Sequence, residues 1–89
     1  MAAAEPTILV VEDELPIVEL ITFSLKGAGW AVDAVNDTAS AWAYLQHKRP
    51  QLMLLDWMLP DQSGIKLLSK IRADRNFATL PIIMLTAKS

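Results

Sequence analysis

The sequence contains no cysteine and no long apolar run. Without cysteine the chain can form neither a disulfide scaffold nor a thiolate metal site, which favours a cytoplasmic protein. No apolar run approaches the roughly 18 residues that a transmembrane helix needs. Residues 1–7 include an acid and no basic residue, so they are not a secretory signal, and we interpret them as a flexible lead-in. The formal net charge of −2 gives no basic footprint for nucleic acid.

The composition is that of one small folded domain. The 89 residues are 53% hydrophobic and 20% charged, with a mean hydropathy of +0.31, which argues against disorder. The chain has neither a G-x-G-x-x-G run nor a Walker loop after any apolar segment. A nucleotide-binding α/β domain is therefore disfavoured.

Short apolar runs alternate with helical patterns along the chain. The runs that predict buried strands are 8–11, 30–35, 52–56 and 81–87. Apolar spacing predicts helices over 16–27 and 39–47, and a third helix with Ile65, Leu68 and Ile71 on its apolar face. Because strands joined by single helices lie parallel in one sheet, we predict a doubly wound α/β fold.

Reactive side chains follow three of the four predicted strands. Glu12 and Asp13 follow the first, Asp56 ends the third, and Thr86 lies at the end of the fourth. If the first and third strands are neighbours, the three carboxylates meet in one crevice at the carboxyl edge of the sheet. Like charges that close repel one another unless a cation lies between them, and Mg²⁺ prefers such oxygen ligands. Taken singly, Glu12 or Asp13 is equally well explained as a helix cap.

Asp56 is the candidate nucleophile of this group. A carboxylate beside Mg²⁺ can attack a phosphoryl group and form an acyl phosphate. The hydroxyl of Thr86 would then donate to the new phosphoryl group. The alternative is a haloacid-dehalogenase-like, Mg²⁺-dependent phosphohydrolase, which also uses a strand-end aspartate. That class needs a second aspartate two residues later, and Met58 occupies this position.

Several segments resemble the receiver domains of bacterial two-component response regulators. They are residues 8–14, 54–60 and 81–87, together with Gly64. The Asp-Trp-Met-Leu-Pro run looks most like the OmpR/PhoB subgroup and, within it, the PhoB type. The resemblance implies a flavodoxin- or CheY-like sheet of order 2-1-3-4 over residues 8–89. It also implies that the family's fifth strand and last two helices are missing from these 89 residues.

The resemblance assigns roles to individual residues. Asp56 matches the phosphoacceptor, and Glu12, Asp13, Asp56 and the backbone carbonyl of Met58 match the Mg²⁺ ligands. Thr86 matches the switch residue that binds the phosphoryl group. The family's catalytic lysine, which ends the fifth strand, has no counterpart in this chain.

The same resemblance implies a signalling domain and not an enzyme. The phosphoryl donor would be a sensor histidine kinase, and the output would be an attached DNA-binding transcription regulator, absent here, that dimerises on phosphorylation. No membrane contact is expected. Two other polar residues receive structural interpretations: His47 as a helix-end residue, and Asp61 as a turn residue in a Pro-Asp pair.

Overall fold

Residues 6–85 form a four-stranded parallel sheet with helices on both faces. The computed structural model describes residues 6–85. In chain order the elements are β1 (Thr7–Val11), α1 (Leu15–Gly27), β2 (Ala31–Val35), α2 (Thr38–Leu45), β3 (Leu52–Asp56), α3 (Gly64–Ala73), a 3-10 turn (Arg75–Phe77) and β4 (Ile82–Leu85). The strand order is β2-β1-β3-β4, and all three pairings are parallel. The predicted fold class and the order 2-1-3-4 are confirmed.

Two of the sequence predictions, the lead-in and the role of Thr86, concern residues outside the described range. Thr86 and residues 1–5 of the predicted lead-in lie outside it. Thr7, which we had included in the lead-in, instead begins β1 and is buried. Within residues 6–85, no helix is long and apolar enough to cross a membrane.

The two central strands explain the apolar runs of the sequence. All five residues of β1 are buried. Leu9 and Val11 pack with Met53 and Leu55 of β3 in the main core, against α2 and α3. Side chains alternate along a strand, so Ile8 and its fellow even-numbered residues face the opposite side. Right-handed crossovers place α1 on that side, because the chain moves in opposite directions across the sheet before and after β2.

Helix α1 is much less covered than α2 and α3. None of its side chains is buried. Leu20 is 68% exposed and Phe23 is 80% exposed, although Leu20 belongs to the apolar spacing that predicts the helix. Within the described residues, therefore, only part of the apolar surface of this helix is packed.

The buried face of α3 differs from the predicted one. Leu67 and Ile71 are buried and in the core, whereas Ile65 is exposed and Leu68 is only half-buried. The prediction is right for Ile71, right in part for Leu68, which packs against the core although it is half-buried, and wrong for Ile65. The reason is at the first residue of the helix, Gly64, which lies directly against β3 and turns the positions 64, 67 and 71 towards the sheet.

Arg72 forms hydrogen bonds to the segment that connects α3 to β4. Its Nη1 donates to the carbonyl oxygen of Leu80 at 2.7 Å and lies 3.3 Å from those of Phe77 and Ala78. We expect Arg72→Lys to lower the free energy of unfolding by about 1–2 kcal/mol, because a lysine cannot hold the same planar geometry. Urea unfolding measures the loss. The exposed Arg75→Lys is the matched control, and an equal loss there would contradict the role given to Arg72.

Candidate functional site: a carboxylate cluster at the sheet edge

Three predicted carboxylates meet at the carboxyl edge of the sheet. Glu12, Asp13 and Asp56 each offer one oxygen, and the three oxygens lie within 4.8 Å of one another. The strand register produces this meeting, because Val11 pairs with Leu55 and the acids follow at the same level. The structure thus brings together acids from two segments that are far apart in the sequence.

Glu12 is the buried member of the carboxylate cluster, Glu12–Asp13–Asp56. Its side chain is 4% exposed, and Oε2 accepts a hydrogen bond from the amide of Glu14 at 3.1 Å. Burial raises the pKa of Glu12, the amide of Glu14 opposes this, and the charges of Asp56 and Asp13 raise the pKa further. The cluster therefore carries more negative charge than its surroundings compensate.

Asp56 lies at the floor of the cluster and is held by its neighbours. It is 7% exposed, and Oδ1 accepts from the amide of Trp57 at 2.8 Å. The amide of Gly64 donates to the carbonyl oxygen of Trp57 at 2.9 Å, so the start of α3 is fixed beside this turn. Asp13, in contrast, is exposed at the rim. A partner from solvent can reach the cluster from that side.

The loop after β3 closes on itself beside the cluster. Met58 forms an isolated antiparallel bridge with Ser63, whose hydroxyl caps α3 by accepting from the amide of Ile65. The side chains of Trp57 and Met58 are exposed. The role predicted for the carbonyl of Met58 stays a prediction.

An open crevice adjoins the cluster on the α1 side. It has a volume of about 570 Å³. It is lined by Glu12, Asp13, Leu15, Val18, Ala34, Val35, Asn36 and Ser40. Two members of the cluster therefore form part of a concave surface, and Asp56 is not among the lining residues.

The donor set fits a hard divalent cation. All three groups are carboxylates, the ligands that Mg²⁺ uses when it keeps part of its water shell and accepts phosphate oxygens. Burial is the main cause that raises the pKa of Glu12, and a cation would offset the repulsion from Asp56 and Asp13 that raises it further. The residues present could therefore hold a metal ion.

The structural interpretations of His47 and Asp61 compare differently with the structure. His47 is exposed just beyond the end of α2, in keeping with a helix-end residue. Asp61 does more than the predicted turn role, because its carboxylate accepts from the backbone of Thr38 and Ala39 at the start of α2. Sequence analysis missed this contact. The Pro-Asp pair predicts a turn, and nothing in the sequence identifies a partner 23 positions away.

The fold and the cluster define the class of protein. The family described as "Response regulator receiver domain" matches residues 8–89, and the chain belongs to this family. Among curated relatives, the phosphate regulon transcriptional regulatory protein PhoB of Pseudomonas aeruginosa is 46% identical over 82 residues. The match covers 92% of this chain and 36% of that protein, so the chain spans about a third of the relative's length.

Solved structures agree with this assignment. The phosphorylated cyanobacterial phytochrome response regulator RcpA is 31% identical, with a TM-score of 0.88, over 96% of this chain and 67% of that chain. The Mn²⁺-bound form of response regulator Rcp1 is 29% identical, with a TM-score of 0.87, over 93% of this chain and 66% of that chain. The predicted family is confirmed, with its function as a phosphoacceptor signalling domain and not an enzyme. The haloacid-dehalogenase alternative gains no support.

Proposed function

We propose that Asp56 accepts a phosphoryl group in a Mg²⁺-dependent reaction. The observation that carries the proposal is the cluster itself, in which Asp56 lies within 4.8 Å of the oxygens of Glu12 and Asp13. The Mn²⁺-bound and phosphorylated structures among the neighbours support it by analogy. In this proposal Glu12, Asp13, Asp56 and the carbonyl of Met58 hold the ion.

The reaction is a transfer from a phosphohistidine. A carboxylate oxygen of Asp56 attacks phosphorus, the P–N bond breaks, and the bonding electrons leave with the imidazole, so that an acyl phosphate forms. When bound, Mg²⁺ would neutralise charge on the phosphoryl oxygens. The amide of Trp57 holds Oδ1 of Asp56, and within residues 6–85 no hydrogen bond engages Oδ2. Thr86, which matches the family's switch residue, would donate to the phosphoryl group.

The wider role rests on the relatives. We propose residues 8–89 as the receiver unit of a PhoB-like transcription regulator that acts in the cytoplasm. A sensor histidine kinase would supply the phosphoryl group, and a further domain would bind DNA. Dimerisation on phosphorylation belongs to the same proposal. The 46% identity to the P. aeruginosa regulator supports this assignment over a general chemotaxis-type receiver.

Mass spectrometry of the complete natural polypeptide tests the phosphoacceptor. With acetyl phosphate and Mg²⁺, the wild-type protein should gain one labile phosphoryl adduct, and Asp56→Asn should gain none. Asp74→Asn, an aspartate outside the cluster, is the matched control and should be labelled like the wild type. An adduct that persists in Asp56→Asn would exclude Asp56 as the acceptor. Multiple rapid turnovers on phosphate monoesters would instead favour the phosphohydrolase.

A further inference from the structure

We propose that Asp61 is a positioning residue for the carboxylate cluster: its carboxylate anchors the loop of residues 57–63 to the first turn of α2. The inference rests on the proposed function, because the loop matters chemically only if Met58 and Asp56 take part in metal and phosphoryl binding. The anchoring itself is a separate claim and can be tested separately.

The anchor consists of hydrogen bonds from one helix end to one carboxylate. The amide of Thr38 donates to Oδ1 of Asp61 at 3.0 Å. The hydroxyl of Thr38 and the amide of Ala39 donate to Oδ2, at 2.7 Å and 3.0 Å. Both oxygens are therefore used, and they fix the orientation of the carboxylate as well as its position.

A neighbouring side chain extends this anchor. The amide of Gln62 donates to Oδ1 of Asp61 at 2.9 Å, and its Nε2 donates to the hydroxyl of Thr38 at 2.9 Å. Thr38 is 1% exposed, so its hydroxyl has little access to competing water. Two consecutive loop residues are thus tied to one buried side chain.

Two aspartates, Asp37 and Asp61, together accept hydrogen bonds from the first amides of α2. The first amides of a helix lack intrahelical partners. Asp37, the residue just before the helix, accepts from the amide of Ser40 at 2.7 Å, which is the usual local cap. The amides of Thr38 and Ala39 are taken by Asp61 instead. Asp61 therefore completes the cap that Asp37 begins, although Asp61 lies 23 positions after Thr38 in the sequence.

The hydrogen bonds to the start of α2 favour the ionised form of Asp61. Hydrogen bonds from the amide and the hydroxyl of Thr38, and from other backbone amides, hold the pKa of Asp61 at about 2. The carboxylate is therefore ionised at neutral pH, and it lies at the positive end of the α2 dipole.

The loop that Asp61 anchors is the one that lies beside the cluster. It begins at Trp57, whose amide holds Oδ1 of Asp56, and it contains Met58. At its far end Ser63 bridges Met58 and begins α3. Both ends of the loop are thus fixed by β3 and α3, and Asp61 fixes its middle. Without Asp61 the loop would keep its ends but lose its attachment to α2.

The test compares Asp61→Ala with Asp37→Ala in the complete natural polypeptide. Each variant removes one carboxylate and one cap from the same helix end, but only Asp61 reaches the loop. Two measurements are made well below the melting temperature: the Mg²⁺ dissociation constant by calorimetry, and amide hydrogen exchange across residues 57–63. We expect Asp61→Ala to raise the dissociation constant about fivefold and to speed loop exchange about tenfold, the size of a lost hydrogen-bonded contact. Asp37→Ala should change both by less than about twofold.

The outcomes separate this inference from the proposed function. Equal weakening by Asp61→Ala and Asp37→Ala, or unchanged loop exchange in Asp61→Ala, would overturn the positioning role. If the wild-type protein bound no Mg²⁺, the proposed function would fail, and loop exchange alone would still decide whether Asp61 anchors the loop. Should Asp61→Ala not fold, Asp61→Asn keeps the shape and one acceptor oxygen, and it should show a smaller change in the same direction.

Discussion

Gly64→Ala is expected to destabilise the protein by about 3 kcal/mol or more, a large fraction of the total stability of so small a domain. A Cβ at this position would overlap the backbone carbonyl oxygen of Asp56 and would lie 3.1 Å from the carbonyl carbon. Neither atom is the end of a flexible side chain, so the strand or the helix must move. Urea or thermal unfolding measures the loss.

Gly27→Ala is the matched control for this prediction. Gly27 is the last residue of α1, and nothing lies within 4 Å of the position where its Cβ would be. The same substitution there should be neutral or stabilising, by at most about 1 kcal/mol. If Gly64→Ala proved as mild as Gly27→Ala, the close approach of α3 to β3 would be wrong. Because the obstructing carbonyl belongs to Asp56, we also expect Gly64→Ala to impair phosphorylation in whatever fraction remains folded.

The second large expected effect is that Mg²⁺, if it binds at the proposed site, stabilises the protein. Any ion that binds only the folded state stabilises it, by about 2.7 kcal/mol at a hundredfold excess over the dissociation constant. Glu12→Gln should reduce this gain strongly and should also make the metal-free protein more stable at neutral pH, because it removes a buried charge. Glutamine keeps an oxygen for the amide of Glu14 but removes the buried charge.

The sign of the metal-free effect follows from the pKa of Glu12. Burial raises this pKa, so the folded protein binds the proton more tightly than the unfolded chain. The corresponding stability is fully present below the unfolded value of 4.5 and is lost as the pH rises through the higher folded value. At neutral pH the charged Glu12 therefore opposes folding unless an ion compensates it.

Thermal melts with and without Mg²⁺ test this prediction. Asp74→Asn is the control, because Asp74 caps the 3-10 turn and is not part of the cluster. Its response to Mg²⁺ should equal that of the wild-type protein. A full Mg²⁺ response in Glu12→Gln would show that the ion binds elsewhere.

Much of the fold was predictable because apolar runs and helical spacing are local signals. β3 was predicted with its observed bounds, since Leu52–Asp56 is a buried central strand flanked by turn residues. The proximity of Glu12 and Asp56 could also be predicted from the sequence, because parallel strands bring their carboxyl ends to one edge of the sheet. These inferences needed only the order of the elements and one assumption about which strands are neighbours.

The errors concern features that depend on tertiary contacts between different elements. The buried face of α3 is set by the approach of Gly64 to Asp56, which periodicity alone does not reveal. The role of Asp61 depends on the position of Thr38, a residue on another helix. In both cases a local pattern was correctly recognised and then modified by a partner that only the folded chain supplies.

The position of β1 in the sheet has a consequence for folding during synthesis. β1 lies between β2 and β3, so a strand that is synthesised before both of its neighbours becomes an inner strand of the sheet. Until residues 52–56 have left the ribosome, one side of β1 has no partner and Glu12 has no Asp56 beside it. Pairing of segments so distant along the chain is slow relative to local structure. The acidic cluster should therefore assemble late, and the nascent chain should not bind divalent ions before β3 is complete.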